Sequence, residues 1–178
     1  AVNLYPFEET VMRGASRDEI IENIDIGGPS MVRSAAKNHA YVTVVTDPAD
    51  YDALYEELAA NDGATTLAFR RKMAAKAFAA TARYDAMISQ WFAFADQQQL
   101  FPDMIAMGGN KLAELRYGEN PHQKAAFYVE PGVRHACVAT AEQLHGKELS
   151  YNNLLDLDAA ARIVLEFGEP AACVIKHT

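Results

Sequence analysis

A pair of glycines ahead of a predicted helix is the feature of this sequence best suited to hold a negative charge. In IDIGGPSMVRSAAKNH, Asp25 and Ile26 precede Gly27 and Gly28, and Pro29 suits the first position of a helix. The first helical turn leaves backbone N–H donors unpaired and carries partial positive charge, so it can bind an anion or stabilise an oxyanion. Most turns of this kind only begin a helix, and that alternative stays open.

A cation follows on the same predicted helix. Lys37 lies near its C-terminal end, where a lysine is ordinarily a solvated surface group that interacts favourably with the helix dipole. A role in proton transfer therefore depends on which residues surround it.

Two further stretches carry groups that bind anions or move protons. In LRYGENPHQ, Arg116 can form paired hydrogen bonds with a phosphate and Tyr117 can pack or donate beside it, although a surface loop with a chance arginine has the same pattern. In VIKHT, a predicted buried strand ends in Lys176 and His177. The carboxyl ends of strands are where sites form in open α/β sheets, and this pair supplies a cation and a group that titrates near neutrality.

The elements that would position these groups alternate between strands and helices in the first part of the chain. Short strands are predicted at residues 2–5 and 41–45, the second from the β-branched run YVTVV. Helices are predicted from the cap Ser16 to Asp25, from Pro29 to about Asn38, and after the cap Asp47. The order strand, helix, strand, helix predicts an α/β fold.

The rest of the chain predicts a long helix, a boundary and a second α/β region. Helical periodicity extends from Thr65 to about Gln97, long enough that a bend is expected, and DQQQLFPDMIAMGGNK then loses it. Beyond this boundary KAAFYVE, ACVA and AACVI are typical of strands, and LLDLDAAARIVLEFG is typical of a helix. We therefore expect one domain over residues 1–110, including a linker, and the start of another over residues 111–178.

Composition narrows the functional classes. The net charge of −8 disfavours a protein that coats nucleic acid or an anionic membrane. No apolar run approaches the ~20 residues of a membrane span and no leader is recognisable, so a soluble, cytoplasmic protein is expected. The two cysteines are expected to be buried free thiols, and the five histidines lack metal-ligand spacing, so no metal is predicted.

Five motifs in this order, NLYPF, IDIGGPSMVRSAAKNH, LRYGENPHQ, LSYNNLLD and VIKHT, resemble the bifunctional purine biosynthesis family that joins IMP cyclohydrolase to AICAR transformylase. The resemblance implies a methylglyoxal synthase-like domain followed by the start of a cytidine deaminase-like transformylase domain. Family members carry further segments before NLYPF and after the KH pair. The chain is therefore expected to be an interior piece that is inactive by itself.

For the cyclohydrolase, the resemblance implies that Tyr5, Asp25 and Lys37 are catalytic. The positions implied to contact the nucleotide are Val2, Asn3, Ile26, Gly27 and Gly28. The reaction closes the purine ring: the carboxamide nitrogen of formyl-AICAR attacks its formyl carbon and water leaves, giving IMP. The site must remove a proton from a weak nucleophile and stabilise an oxyanion, which the N–H groups of residues 25–28 would do.

For the transformylase, the resemblance implies that Arg116 and Tyr117 hold AICAR while Lys176 and His177 are catalytic. The formyl donor is 10-formyltetrahydrofolate, a cosubstrate, with no tightly bound cofactor. The family is a homodimer. A competing hypothesis is a non-catalytic module that binds a phosphorylated effector, as other methylglyoxal synthase-like domains do, and a scaffold without ligand is a third. A proton-transfer set beside the glycine turn favours the enzyme.

Overall fold

A computed structural model describes residues 1–177 and divides the chain into two compact units, Ala1–Gly108 and the residues from Gly109 onward. The first unit is helical. Its elements in chain order are α1 (Phe7–Met12), α2 (Arg17–Glu22), α3 (Gly27–Lys37), a 3₁₀ turn (Pro48–Asp50), α4 (Tyr51–Ala60), α5 (Leu67–Gln90) and a π-helical turn (Trp91–Asp96).

The core of the first unit forms where α3 packs against α5. Val32 and Ala36 on α3 are fully buried, and they cluster with Ala74 and Ala77 on α5 and with Val44. The alanines lack long side chains, so the two helix backbones can approach closely there. This packing fixes the direction of α3 and therefore the position of its glycine-rich start.

A second cluster, mostly aromatic, joins α1 and α2 to the C-terminal half of α5. Phe7, 1% exposed, meets Tyr84 and Trp91 edge to face, with ring centroids 6.1 Å apart in both pairs. Ile20 completes the buried set. Edge-to-face aromatic pairs add to the free energy gained from burial alone, so the start of the chain is held firmly against α5.

Side-chain caps begin three helical segments where the sequence predicts. Ser16 accepts a hydrogen bond from the N–H of Glu19 ahead of α2, and Asp47 caps the 3₁₀ turn in the same way. Thr66 accepts from the N–H of Phe69 at the start of α5. The predicted bend of the long helix is a π-helical turn that begins at Trp91.

Two predicted strands of the first unit are wrong in detail. The N–H of Val2 donates to the carbonyl of Val45 at 2.9 Å, but residues 2–5 and 41–45 do not build a strand ladder in the described chain. A strand requires repeated pairing along its length, and β-branched composition alone does not supply the partner. Val44 and Val45 are nevertheless buried, as the apolar run predicts.

The second unit contains a hairpin and one helix. Strands β1 (Asn110–Leu115) and β2 (Ala125–Val129) pair antiparallel with an irregularity between Lys111 and Ala113, and α6 (Tyr151–Leu165) follows a 3₁₀ turn, Val138–Thr140. β2 and α6 are predicted from sequence, whereas β1 is not. Together the units give helices and a small sheet, an α/β composition.

The remaining strand predictions, ACVA and AACVI, are also wrong. The first overlaps the 3₁₀ turn, and the second is irregular with Val174 98% exposed. Cys137 and Cys173 are free thiols as predicted, but both are half-buried rather than buried, because neither segment is covered by a second layer in the described chain. Across residues 1–177 no helix is both long and apolar enough to cross a membrane.

Candidate functional site

The carboxylate of Asp25 is held by two backbone N–H groups just ahead of α3. Its Oδ1 accepts from the N–H of Gly28 at 2.7 Å, and its Oδ2 accepts from the N–H of Tyr5 at 3.2 Å. The second bond ties together segments that are far apart in sequence. The structure therefore brings together Tyr5, Asp25 and Gly28, three of the predicted site residues.

The glycine at position 28 is required by the closeness of this carboxylate. A Cβ atom on Gly28 would lie 2.4 Å from Oδ2 of Asp25 and 2.8 Å from its Cγ, which real side chains do not tolerate. At Gly27 a Cβ would meet nothing within 4 Å. Of the two glycines, Gly28 is therefore the one that lets the carboxylate sit against the helix start.

The N–H groups of residues 25–28 are not all available for an oxyanion. The N–H of Asp25 donates to the hydroxyl of Tyr84 at 2.8 Å, and that of Gly28 is used by the Asp25 carboxylate. The N–H groups of Ile26 and Gly27 have no acceptor among residues 1–177. The first turn of α3 thus presents two donors to a ligand, next to an Ile26 side chain that is 78% exposed.

Lys37 lies at the other end of α3. It lies nine positions after Gly28, which places its backbone about 14 Å further along the helix axis. Its side chain is exposed. The phenol of Tyr5 is likewise 57% exposed, and only its backbone N–H contacts Asp25. The structure therefore places neither the lysine ammonium group nor the phenol beside the carboxylate.

Val2 and Asn3 are fixed against the segment that follows α3. Besides the backbone bond from Val2 to Val45, Nδ2 of Asn3 donates to the carbonyl of Thr46 at 3.2 Å. Its Oδ1 accepts from the hydroxyl of Tyr51 at 3.2 Å. These bonds hold both positions against the segment between α3 and α4.

In the second unit, Arg116 and Tyr117 form a stacked and hydrogen-bonded pair. The Arg116 guanidinium lies 4.8 Å from the centroid of the Tyr117 ring and donates to its hydroxyl at 3.1 Å. This hydrogen bond, together with one from Ser150 and the positive charge of Arg116, lowers the pKa of the Tyr117 phenol. A phosphate would compete with the phenol for the guanidinium.

Arg116 also lines an open cavity of about 480 Å³. Polar residues of the segment 143–148 and of α6 share its wall: Gln143, His145, Lys147, Glu148, Asn153 and Asp156. Two cationic or titratable side chains, His145 and Lys147, thus lie with Arg116 around one space. Two acidic side chains, Glu148 and Asp156, lie in the same wall, so the cavity presents charges of both signs to a polar, hydrogen-bonding ligand.

His177 reaches the wall of this cavity. Its Nδ1 lies 3.0 Å from Oδ2 of Asp156, and its side chain is 74% exposed. Lys176 is exposed as well. In the described residues, 1–177, no group of three or more histidine, cysteine or acidic side chains is arranged to hold a metal ion.

Comparison with known proteins decides the family. The AICARFT/IMPCHase bienzyme family matches residues 35–178. This chain belongs to that bienzyme family. A bifunctional purine biosynthesis protein PurH from Cereibacter sphaeroides (strain ATCC 17025) is 58% identical over 179 residues, covering 99% of this chain and 34% of the relative.

Other bienzyme relatives agree. PurH of Ruegeria pomeroyi is 58% identical over 180 residues, and that of Listeria monocytogenes serovar 1/2a is 55% identical over 177 residues, each covering 99% of this chain and 34% of the relative. The chain therefore spans about a third of the length of the curated relatives it matches. The alignments with these relatives include Tyr5 and the glycine turn, which lie before residues 35–178, the part that the bienzyme family matches.

Sequence reasoning missed two residues that contact predicted site residues, Tyr84 and Asp156. Tyr84 lies within the periodic part of the long helix, and nothing in its spacing distinguishes a hydroxyl that contacts the Asp25 backbone. Asp156 lies in LLDLD, where an acidic residue of a helix is ordinarily a solvated one. Its position on α6 relative to the cap Ser150 could have indicated that it faces the cavity. That position is known only once the start of the helix is known.

Proposed function

We propose that this chain belongs to an enzyme that transfers a formyl group from 10-formyltetrahydrofolate to AICAR and then closes formyl-AICAR to IMP. Family membership supports the reaction pair, since the relatives are named bifunctional purine biosynthesis proteins. The observation that carries the cyclohydrolase half is the glycine turn, where a fixed carboxylate adjoins two unpaired N–H donors.

The first unit would act on formyl-AICAR. As the carboxamide nitrogen attacks the formyl carbon, negative charge develops on the formyl oxygen, and the N–H groups of Ile26 and Gly27 can stabilise it at the positive end of α3. Asp25 would orient the carboxamide, because each of its oxygens keeps one lone pair beyond the backbone bond. Lys37 is the proposed proton donor; because its backbone lies about 14 Å along α3 from Gly28, it would act only on a ligand that extends along the helix to its exposed ammonium group.

The second unit would contribute to formyl transfer. Arg116 would hold the AICAR phosphate, and Tyr117 would keep the guanidinium in place through stacking. If Nδ1–H of His177 donates to Asp156, Nε2 carries the lone pair that takes the proton from the AICAR amine. Lys176 would stabilise the charge that develops on the formyl group.

The proposal includes the domain identities and partners that the resemblance implies. Residues 1–110 would form part of a methylglyoxal synthase-like cyclohydrolase domain, and residues 111–178 the start of a deaminase-like transformylase domain. The reduced folate would be consumed as a cosubstrate without a tightly bound cofactor. The whole enzyme would be a cytoplasmic homodimer.

A chimera tests the proposal. This chain replaces the matching segment of the Cereibacter relative, and both reactions are measured by ultraviolet absorbance. In the chimera Lys37→Ala should abolish IMP formation and leave formyl transfer measurable, whereas His177→Ala should do the opposite. Each variant is the control for the other, since a folding defect would reduce both activities.

Two results would contradict the proposal. One is an unmodified chimera that folds and carries out neither reaction. The other is a chimera that binds AICAR or IMP in the first unit and catalyses no ring closure, which is the outcome expected of an effector-binding module.

A further inference from the structure

We propose that Tyr84 is a positioning residue for ring closure, acting through the backbone of Asp25. This inference rests on the proposed cyclohydrolase function of the first unit. Tyr84 lies on α5, far from the glycine turn in sequence, and its hydroxyl forms hydrogen bonds with the backbone ahead of α3.

The Tyr84 hydroxyl makes two hydrogen bonds to the loop between α2 and α3. It accepts from the N–H of Asp25 at 2.8 Å and donates to the carbonyl of Asn23 at 3.1 Å. The hydroxyl therefore uses its donor and one acceptor site on the two residues that flank Ile24. This bridge fixes the peptide that leads into Asp25.

The Tyr84 side chain is itself immobilised. It is 5% exposed and its ring packs edge to face against Phe7. Burial, chiefly, raises the pKa of its phenol above the ordinary value, so the hydroxyl stays protonated and can donate to Asn23. The Tyr84 hydroxyl is therefore held in one place by α5 and by its buried ring, and its two hydrogen bonds hold the loop in a fixed position.

The Asp25 carboxylate and backbone are thus anchored separately. The N–H groups of Tyr5 and Gly28 hold the carboxylate, and Tyr84 holds the peptide. Without the Tyr84 hydroxyl, the Asp25 N–H and the Asn23 carbonyl lose their partner and must turn toward water. That rotation would move the carboxylate and the adjacent Ile26 donor relative to a bound substrate.

The kinetic test uses Tyr84→Phe in the chimera, because phenylalanine keeps the buried ring and removes only the hydroxyl. Since a misplacement of about 1 Å can cost ~10²-fold in rate, we expect kcat for ring closure to fall about 10- to 100-fold. KM and the rate of formyl transfer should stay within a few-fold. Thr81→Val is the matched control: it removes a buried hydroxyl on α5 that donates to Phe78 and does not reach the loop.

The structural test uses this chain alone and does not depend on catalysis. Amide hydrogen exchange by NMR should show the Asp25 N–H exchanging at least 10-fold faster in Tyr84→Phe than in the wild type, with core amides of α5 unchanged. Thr81→Val should leave the Asp25 amide as it is. Unchanged Asp25 exchange in Tyr84→Phe would overturn the inference.

The kinetic outcomes separate the inference from the function on which it rests. An unmodified chimera without ring closure overturns the proposed function, and the exchange experiment still decides whether Tyr84 holds the loop. Normal ring closure in Tyr84→Phe overturns the positioning role. A parallel loss of both reactions and of thermal stability would show a general structural role instead, and would overturn it as well.

Discussion

The two units differ in what is buried. In the first unit the fully or nearly fully buried residues are largely hydrophobic, and they form the two clusters around α5. In residues 109–177 the buried residues are Gly118 and Ser150, and no hydrophobic side chain reaches the same degree of burial. Two leucines of α6, Leu155 and Leu157, are more than two fifths exposed.

Within this chain, which spans about a third of its relatives' length, the two units are held by different interactions. Full burial of a large apolar side chain contributes about 1.5–3 kcal/mol, so the first unit can be held by its own core. The second unit depends more on hydrogen bonds of the motif segments. The N–H of Arg116 donates to the carbonyl of Leu149, that of Tyr151 donates to the carbonyl of Tyr117, and Ser150 and Asn153 cap α6 reciprocally.

The largest expected effect tests the hydrophobic side of this comparison. Phe7→Ala should lower the free energy of unfolding of the first unit by about 3–5 kcal/mol, because it removes a fully buried ring and leaves a cavity. Leu157→Ala in the second unit should cost less than about 1 kcal/mol, since that side chain is already 47% exposed. Urea titrations followed by circular dichroism and by Trp91 fluorescence measure both. Equal costs would break the comparison.

The next largest effect concerns packing within the glycine turn of the first unit. Gly28→Ala should destabilise the first unit by about 1–3 kcal/mol, because the new Cβ overlaps the Asp25 carboxylate and must displace it. Gly27→Ala is the matched control: its Cβ has open space, so stability should stay the same or rise slightly as the unfolded chain loses freedom. Urea titrations compare the two. Similar values would show that the carboxylate moves aside easily.

A smaller effect tests the polar side of the comparison. Ser150→Ala removes the cap of α6 and should cost about 1 kcal/mol, seen as lost protection of the first-turn amides of α6 in hydrogen exchange. Amides of α5 in the first unit should be unaffected. If amides throughout the chain lost protection, the effect of Ser150 would not be local to α6, and this prediction would be wrong.

The smallest effect contrasts two phenols. Tyr84 in the first unit has a pKa raised chiefly by burial, and Tyr117 in the second has a pKa lowered chiefly by its hydrogen bond from Arg116. Ultraviolet titration of the wild type against each Tyr→Phe variant should place Tyr117 below and Tyr84 above the usual value near ~10. Arg116→Gln should raise the Tyr117 value.

The same titration has a consequence for stability whose sign follows from the Tyr84 shift. Folding favours the neutral form of the Tyr84 phenol. The contribution of this phenol to the free energy of unfolding is therefore fully present below its pKa in the unfolded chain, near ~10. The contribution is lost as the pH rises from there through its pKa in the folded chain. The wild type should therefore lose stability more steeply above that pH than Tyr84→Phe does. A parallel decline of the two would contradict the raised pKa.

Local signals predicted much of the fold. The caps at Ser16 and Asp47, the long helix with its interruption, and the helix over LLDLDAAARIVLEFG follow from local side-chain patterns, although α6 begins earlier than predicted, after a cap at Ser150. Most of the predicted strands are wrong, because a strand forms only with a pairing partner and a β-branched or apolar run does not specify that partner. β1 went unnoticed since its residues are mostly exposed and lack the alternation of a half-buried strand.

The candidate site divides in the same way. The glycine turn was predicted from helix-start chemistry, but its use by Asp25 was not, because that carboxylate forms its bonds through Tyr5 and Gly28 at once. Spacing alone already places Lys37 about a helix length from the glycine turn, at the C-terminal end of the same predicted helix. Contacts between distant elements, such as that of Tyr84 with the turn, have no signature in a single sequence.

The closeness of Gly28 to Asp25 also restricts the order in which this turn can change through evolution. While the aspartate is present, every residue other than glycine at position 28 overlaps its carboxylate. A smaller residue at position 25 would open that space. Replacing Asp25 first would therefore make a side chain at position 28 tolerable, whereas replacing Gly28 first would require the Asp25 carboxylate to move.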